Sequence, residues 1–404
     1  MSLTITSHFR SKMESTNPSS IIRKFTFNNS DLSSKVIQYP TITREVGDIT
    51  GESLSFDIEN ASQSFNSLNT NRSQLLKTGI FEYGFSTESG TNDVVQLFGG
   101  ELTKVNLWEG KGKLLFDNKL TKLKRRRAGS SQTPASYTSS AYNPADIVWW
   151  ICTSYAGLST TADSSNPDID YTSWSAWKTI LTNDAVLVHA HFEGDGILNI
   201  LETVQRLTDS FIYSSGDNKI YFTRWFGASS YTITLNDSYI TDKINYELYT
   251  DSILNKVTVQ MSYNTEQSTW AGQVVQVNTA SVGSYGIFEA IYDDTNVWHI
   301  NSVSAMNLAQ RIIYRRGNAN AVIKCKTPLR FLDIEFGDDI EFESQVYSIS
   351  NKILSLKKYG INIETAIMTL EMDEGYGRGG GRWYGFRLDD NYNGLLDQSY
   401  NPLF

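Results

Sequence analysis

The chain has 404 residues, a formal net charge of −9, 12% aromatic residues and 7 prolines. Its length predicts about two to four domains, and its aromatic, Ser-, Thr- and Asn-rich composition favours strands. The negative charge excludes a general attraction for nucleic acid or an anionic membrane. No apolar run approaches the about 20 residues of a membrane helix, and no secretory signal is recognised at the N-terminus. We expect a β-rich α+β protein with no membrane-spanning segment, made in a cytoplasm.

The N-terminal part is predicted to form an arm followed by a strand-rich domain. Residues 1–20 are polar and are expected to become ordered only on a partner. The sequence then predicts strands at 35–39, 54–58, 78–85, 94–98, 102–107 and 113–116. Gly99-Gly100 and Gly110-Lys111-Gly112 are turn signals between these strands. We expect residues 21–120 to close into a small barrel or sandwich.

A linker and an inserted helical domain are expected over residues 121–230. The stretch 119–140 holds four consecutive basic residues, Lys124, Arg125, Arg126 and Arg127. A solvated linker is the simpler interpretation of these charges, and a nucleic-acid or phosphate patch is the alternative.

After this linker the hydrophobic period changes from 2 to 3.6, which predicts three helices. Asn143 is expected to cap the first helix, Asp170 or Thr172 the second, and Asp195 the third. A hairpin is then expected to pair 211–213 with 219–225. The two cysteines, Cys152 and Cys325, lie in apolar stretches and are expected to be buried free thiols.

A helix followed by two strands is the clearest pattern of the C-terminal half. An apolar stripe of helical spacing is formed by Ala305, Leu308, Ala309, Ile312 and Ile313. Asn301 or Ser302 is expected to cap this helix, and Gly317 to end it. Two strands are predicted across the Gly337-Asp338-Asp339 turn, with acidic faces formed by Asp333, Glu335, Glu341 and Glu343. The helix is expected to pack on these strands within a domain of residues 231–345, followed by a small β domain at 346–373.

Residues 374–404 form a Gly-rich and aromatic tail that cannot build a core alone. We expect its aromatic side chains, Trp383, Tyr384 and Phe386, to contact a neighbouring subunit.

Two groups of residues have ligand-like spacing for a metal. His189, His191 and Glu193 alternate and would share one face of a strand. Asp389, Asn391 and Asn393 match the first half of a calcium loop, but position twelve is Tyr400. An ordinary strand face and a polar turn are the simpler interpretations. No catalytic residue and no cofactor are predicted, because neither a nucleophile–base arrangement nor a phosphate-binding glycine fingerprint is recognised.

A family resemblance is carried by six stretches, LFGGELTKVNLWEGKGKLLFDNKL, NPADIVWWICTSYAGL, DYTSWSAW, GILNILETVQRLTDSFIYSSGDNKIYFTRW, LNKVTVQMSYN and residues 300–342, ending LDIEFGDDIEF. In their order, these segments resemble the tail tip or baseplate hub proteins of tailed bacteriophages. The resemblance implies two tail-tube-like β-barrels, residues 21–120 and 231–345, that flank a helix-containing insertion. It also implies that three copies form a pseudo-sixfold ring.

By the same resemblance, the ring would join the tail tube or distal tail protein to a spike, fibre or tip protein. Its lumen would hold the tape measure protein and then pass DNA, and the acidic strand faces would suit such a lumen. The protein would then belong to the virion, after synthesis in the host bacterial cytoplasm. Two alternatives are a carbohydrate-binding surface module, suggested by 9 Trp and 22 Tyr, and a glycan-degrading enzyme, which needs two carboxylates across a cleft.

Overall fold

The computed structural model describes residues 5–14, 21–45, 49, 53–70, 72–86, 92–130, 133, 135–159, 168–224, 232–250 and 253–374. Within these ranges the chain forms three large β-sheets, two two-stranded pairs and eight α-helices. The α-helices are Ser7–Glu14, Ser67–Thr70, Lys119–Leu123, Pro144–Ser154, Tyr171–Asn183, Ile197–Thr208, Thr279–Tyr285 and Ser302–Arg316. The β-rich α+β class expected from the sequence is confirmed.

The first sheet is antiparallel and uses residues 21–117. Its strands, in spatial order, are Ser30–Asp31, Ile21–Phe27, Thr78–Ser86, Asn92–Trp108, Gly110–Asp117, Ser53–Asn60 and Val36–Gln38. Aromatic rings fill its buried face, where Phe25 stacks on Phe56 with centroids 4.0 Å apart and Phe116 meets Phe25 edge-on at 5.5 Å.

The turn predicted at Gly99-Gly100 is wrong, because strand Asn92–Trp108 runs through it without interruption. These glycines serve close packing instead. A Cβ on Gly99 would lie 3.0 Å from the Cβ of Asn218, and one on Gly216 would lie 2.1 Å from the carbonyl oxygen of Gln96. The Gln96 side chain donates a hydrogen bond of 2.7 Å to the Gly216 carbonyl. The turn of the inserted hairpin therefore docks directly on the first sheet.

The middle sheet carries the helical insertion. Its strands, in spatial order, are Ala135–Tyr142, Val188–Phe192, Val297–His299, Lys256–Asn264 and Thr269–Val277, and Glu289–Tyr292 also pairs with Lys256–Asn264. Two short antiparallel pairs accompany it, Arg127–Ala128 with Asp195–Gly196 and Ser210–Ser214 with Ile220–Arg224. The second of these pairs is the predicted hairpin, which is confirmed for the described residues.

Two of the three predicted helix caps in the insertion are confirmed. The Asn143 side chain accepts a hydrogen bond from the Ala145 amide at 2.9 Å, and Asp170 accepts one from the Ser173 amide at 2.7 Å. The third prediction is wrong, because helix Ile197–Thr208 begins after Gly196 with no side-chain cap. Asp195 instead accepts from the Glu193 amide and from the Asn296 side chain, each at 3.0 Å, so its carboxylate is turned away from the helix.

The last sheet joins segments that the sequence had assigned to different domains. Its strands, in spatial order, are Thr232–Asn236, Asp339–Ser344, Ile349–Asn362, Ile367–Asp373, Asn320–Pro328 and Asn245–Tyr249, and Thr41–Glu45 also pairs with Ile349–Asn362. The strands of residues 346–373 therefore do not form a sheet of their own, because they pair with strands of other segments. Buried side chains of the first and last sheets form one hydrophobic core, and those of the middle sheet and its helices form a second.

Helix Ser302–Arg316, here called the long helix, is confirmed with its cap, since Asn301 accepts from the Ser304 amide at 2.9 Å. Its partner was predicted wrongly. The buried side chains Leu308 and Ile312 belong to the core of the middle sheet, not to that of the Gly-Asp-Asp strands. Its neighbours are strands Lys256–Asn264 and Thr269–Val277, which precede it in the chain, and the spacing of its apolar residues does not say which strands cover them.

The strand predicted over 332–336 is also wrong. A 3₁₀ helix, Leu329–Phe331, is followed by turns in which the Ile334 amide donates to the Phe331 carbonyl at 3.1 Å. Asp333 is buried along with its apolar neighbours, so the segment has no acidic face in solvent. The strand after Gly337, Asp339–Ser344, forms as predicted.

The predictions of an arm ordered only on a partner and of a solvated linker are partly wrong, because each segment buries apolar side chains. Helix Ser7–Glu14 places Phe9 against Phe85, with ring centroids 5.1 Å apart, and Phe9 is fully buried. In the linker, helix Lys119–Leu123 buries Leu120 and Leu123. Both cysteines are buried and free, as expected.

Three further 3₁₀ helices, Ser33–Lys35, Arg72–Gln74 and Asp237–Tyr239, complete the described elements.

Candidate interaction surface

The predicted histidine site does not assemble a metal-binding group. His191 contacts Ser136 Oγ through Nδ1 at 2.6 Å and Glu193 Oε1 through Nε2 at 3.1 Å. His189 instead packs edge-on against Trp298 at 6.2 Å. Within the part of the chain that the structure describes, no group of three His, Cys, Asp or Glu side chains could hold a metal ion. His191 and Glu193 are thus part of a polar surface contact.

The other predicted site residues lie beyond residue 374. Asp389, Asn391 and Asn393, and the aromatic residues Trp383, Tyr384 and Phe386, fall outside the described residues.

The acidic residues proposed for a lumen separate into two groups. Glu341 and Glu343 lie on the partly exposed face of strand Asp339–Ser344. Glu335 instead accepts a hydrogen bond from the Tyr213 hydroxyl at 3.1 Å, and burial raises the pKa of its carboxyl to about 7. Asp333 is buried as well. The expectation of a solvent-facing acidic row is therefore wrong for Asp333 and Glu335.

The basic stretch lies on the surface. Lys124, Arg125, Arg126 and Arg127 are all exposed, and Arg127 donates to the Gly194 carbonyl at 2.7 Å. They follow a helix whose lysines, Lys119 and Lys122, form ion pairs with Asp168 and Glu101. These charges form a solvated surface next to packed structure.

A buried ionic cluster was missed by the sequence analysis. Asp184, which follows helix Tyr171–Asn183, accepts from the guanidinium groups of Arg224 and Arg311. The Arg224 side chain is only 2% exposed, and burial lowers the pKa of its guanidinium to about 9. These three residues come from three elements separated by 40 to 127 positions, so no local pattern indicates the contact. The cluster joins the insertion to the long helix.

A buried histidine lies nearby. His299 contacts Ser304 Oγ through Nδ1 at 2.6 Å, and burial lowers the pKa of its imidazole to about 4. Ser304 also donates to the Leu187 carbonyl at 3.1 Å. His299 therefore lies in the interior as a neutral hydrogen-bonding group that connects the long helix to the middle sheet.

An open cleft of about 730 Å³ lies at one end of the last sheet. Its lining is polar except for Ile349, and it comprises Asn236, Asp237, Ser238, Glu343, Ser344, Gln345, Ser348, Ile349 and Ser350. The Asp237 carboxylate accepts the Gln345 amide at 2.8 Å and so orders the wall. Sugar-binding sites stack a ring on an aromatic face, which this lining does not supply. The cleft therefore gives no support to the carbohydrate-binding alternative.

The outer face of the middle sheet exposes apolar side chains at one end. Thr258 pairs with Val275 on one side and Ile291 on the other, and directly paired residues share a face of the sheet. The opposite face carries the buried Val257 and Val259 and packs on the long helix. Val275 and Ile291 therefore point away from the core, and Ile291 is 54% exposed.

Six large apolar side chains are exposed on this face or in the connection between strands Thr269–Val277 and Glu289–Tyr292, and we call them the outer patch: Val275, Val277, Tyr285, Ile287, Phe288 and Ile291. The charges beside them cancel, because Lys256 pairs with Glu289 at 3.1 Å. Strand Thr269–Val277 lies at the end of its sheet, and its outer edge has no strand partner in the described ranges. An exposed apolar patch next to an open sheet edge is typical of a surface that another segment or subunit covers.

No helix in the described ranges combines the length and the apolar character that crossing a membrane requires.

No family model and no curated protein sequence matches the chain. Solved structures do match, and three of them match over nearly their whole length. The 43 kDa tail protein of prophage MuSo2 from Shewanella oneidensis has a TM-score of 0.53 and 9% identity, and the match covers 87% of this chain and 98% of that one.

Two further structures agree with this result. A tail protein from Neisseria meningitidis MC58 has a TM-score of 0.53 at 9% identity, covering 89% of this chain and 98% of its own. The prophage tail protein gp18 from Listeria monocytogenes EGD-e has a TM-score of 0.50 at 11% identity, covering 88% and 94%. The resemblance predicted from the order of the sequence segments is thus confirmed in fold: this chain has the fold of prophage tail proteins.

Proposed function

We propose that the chain is a structural protein of a phage tail tip or baseplate hub. Three copies would form a ring that joins the tail tube to distal spike, fibre or tip proteins. The observation that carries the proposal is the likeness in fold to three tail proteins, two of them from prophages, over 94 to 98% of their length. A match of this extent covers 87 to 89% of this chain, so it is not confined to one of its sheets.

Surface chemistry supports a role in assembly. The outer patch and the open edge of strand Thr269–Val277 offer apolar and hydrogen-bonding surface to another polypeptide. A net charge of −9, with Glu341 and Glu343 partly exposed, suits a lumen in which a tape measure protein lies and DNA passes without adhering. The proposed function is one of shape and symmetry, without catalysis, and it places the protein in the virion.

Native mass spectrometry of the purified chain, alone and with the tail tube protein of the same particle, tests this proposal. We expect an assembly of three times the 45.5 kDa chain mass, formed alone or on the tube protein. A chain that stays monomeric in both samples and binds or cleaves a cell-surface glycan would contradict the ring and favour the carbohydrate alternatives.

A further inference from the structure

We propose that four exposed basic residues, Lys124, Arg125, Arg126 and Arg127, bind an acidic segment of a partner polypeptide. We call these four residues the basic strip. A small cavity beside Arg126 receives one glutamate side chain of that segment. The inference goes beyond the proposed function and does not depend on the ring.

Packed structure on both sides holds the backbone of the basic strip. The Arg126 amide donates to the carbonyl of Leu123, the buried last residue of the preceding helix, at 3.0 Å. On the other side, Arg127–Ala128 pairs with Asp195–Gly196, and the Ile197 amide donates to the Arg126 carbonyl at 3.0 Å. Because this backbone is already ordered, a ligand does not have to order it, which lowers the entropic cost of binding.

The basic strip has no counter-charge among the described residues. The lysines of the preceding helix do have one, since Lys119 pairs with Asp168 and Lys122 with Glu101. None of the four side chains of the strip forms an ion pair within the described ranges, although the chain as a whole has a net charge of −9. The strip is therefore a local positive surface on a negatively charged protein, and it attracts a negatively charged ligand.

A cavity of about 190 Å³ adjoins Arg126 and has the chemistry to take a glutamate side chain. A water molecule occupies about 30 Å³ in the liquid, so the cavity has room for such a side chain. Leu123, Ala156 and Leu158 make part of its wall apolar, which suits the aliphatic stem of a glutamate. Lys122 also lines the cavity but is already paired, so Arg126 is the cation left for the carboxylate. A guanidinium can hold a carboxylate through two parallel hydrogen bonds.

The surroundings of the strip favour an acidic peptide over a nucleic acid. A protein that holds duplex DNA firmly contacts about 6–10 phosphates, and the strip offers only four positive charges. Negative charge also lies next to it, because Arg127 donates to the carbonyl of Gly194, which directly follows Glu193, and the Glu193 side chain is 59% exposed. Duplex DNA carries a charge about every 1.7 Å, so it would be repelled at this carboxylate. A peptide with a few spaced glutamates avoids that repulsion.

Fluorescence anisotropy of a labelled peptide with the full chain, at low ionic strength, tests the proposal. The probe carries four glutamates separated by serines, and two comparison peptides carry aspartate or glutamine in place of glutamate. The test variant combines Arg125→Gln with Arg126→Gln. The matched control combines Lys111→Gln with Lys243→Gln, which removes two exposed positive charges outside the strip. All four side chains are exposed, so neither variant disturbs a buried contact.

We expect the glutamate peptide to bind the unaltered chain, and the test variant to bind it about fivefold more weakly, whereas the control variant should stay within about twofold. The aspartate peptide should bind more weakly than the glutamate peptide, because its shorter side chain cannot reach Arg126 from the apolar wall, and the glutamine peptide should not bind.

Absence of binding by the glutamate peptide, equal losses in the two variants, or equal binding of the aspartate peptide would overturn the proposed site. A short DNA duplex that binds the strip more tightly than the peptide would assign it to nucleic acid and also overturn the proposal. None of these results bears on whether the protein forms a ring on the tail tube, which the mass measurement addresses separately.

Discussion

Replacing Asp184 with Asn tests whether the buried ionic cluster holds the insertion on the long helix. The carboxylate receives charge-assisted hydrogen bonds from Arg224 and Arg311, whose side chains are 2% and 11% exposed. Each such bond contributes about 1.5–3 kcal/mol. The substitution leaves two buried arginines without a counter-charge, and loss of one partner of a buried pair costs about 3–5 kcal/mol. Since Asp184 itself is 30% exposed, we expect the lower half of this range.

Urea unfolding monitored by tryptophan fluorescence measures this loss of stability. Trp177 lies in the helix that precedes Asp184, and its ring stacks on that of Phe222 with centroids 5.1 Å apart, so its fluorescence reports on this region. Asp146→Asn is the matched control. Asp146 pairs with Lys178, and both side chains are about one-third exposed. A surface pair of this kind contributes about 0–1 kcal/mol. If both substitutions lowered the free energy of unfolding by the same small amount, the stabilising role of the buried cluster would be refuted.

Three further predictions concern buried groups. Burial holds the pKa of His299 at about 4, so the free energy of unfolding should fall as pH drops from 6.5 through 4, and His299→Gln should flatten this slope in thermal unfolding scans. Burial raises the pKa of Glu335 to about 7. The contribution of this carboxyl group to the free energy of unfolding is therefore complete below pH 4.5 and should be lost as pH rises through 7. Glu335→Gln should recover up to about 3 kcal/mol at pH 8, and an unchanged pH slope would be inconsistent with this assignment. Gly216→Ala should lower the free energy of unfolding in urea by more than about 1 kcal/mol, because the new Cβ would lie 2.1 Å from the Gln96 carbonyl oxygen. Gly283→Ala is the control and should cause no such loss, because its Cβ would have no atom within 4 Å.

The helices could be predicted because their signals are local. Asn143, Asp170 and Asn301 each cap a helix through a hydrogen bond to an amide two or three residues away. The buried stripe of the long helix likewise depends only on spacing within one element.

The failures share a long-range cause. The sequence at 332–336 alternates like a strand, yet tertiary packing buries Asp333 and turns the chain. Gly99-Gly100 looks like a turn, but Gly99 makes room for a hairpin more than 100 residues away. The assignment of the long helix to the wrong strands has the same origin, since periodicity identifies a buried face but not what covers it.

The candidate site was less predictable than the fold. The metal-like spacing of His189, His191 and Glu193 comes from strand alternation, and the structure directs His189 to Trp298. The outer patch corresponds to no sequence motif, because strand pairing is what brings Val275 and Ile291 together on either side of Thr258. A weak signal was present in Ile287-Phe288, two large apolar residues directly after a helix-ending glycine.

Cryo-electron microscopy of the intact particle, with this structure fitted into the density map, tests the proposed hub most directly. We expect three copies around the tail axis at the distal end of the tail tube, with Glu341 and Glu343 facing the lumen. A particle that lacks the chain, or one that carries it on peripheral fibres away from the tail axis, would contradict the proposal.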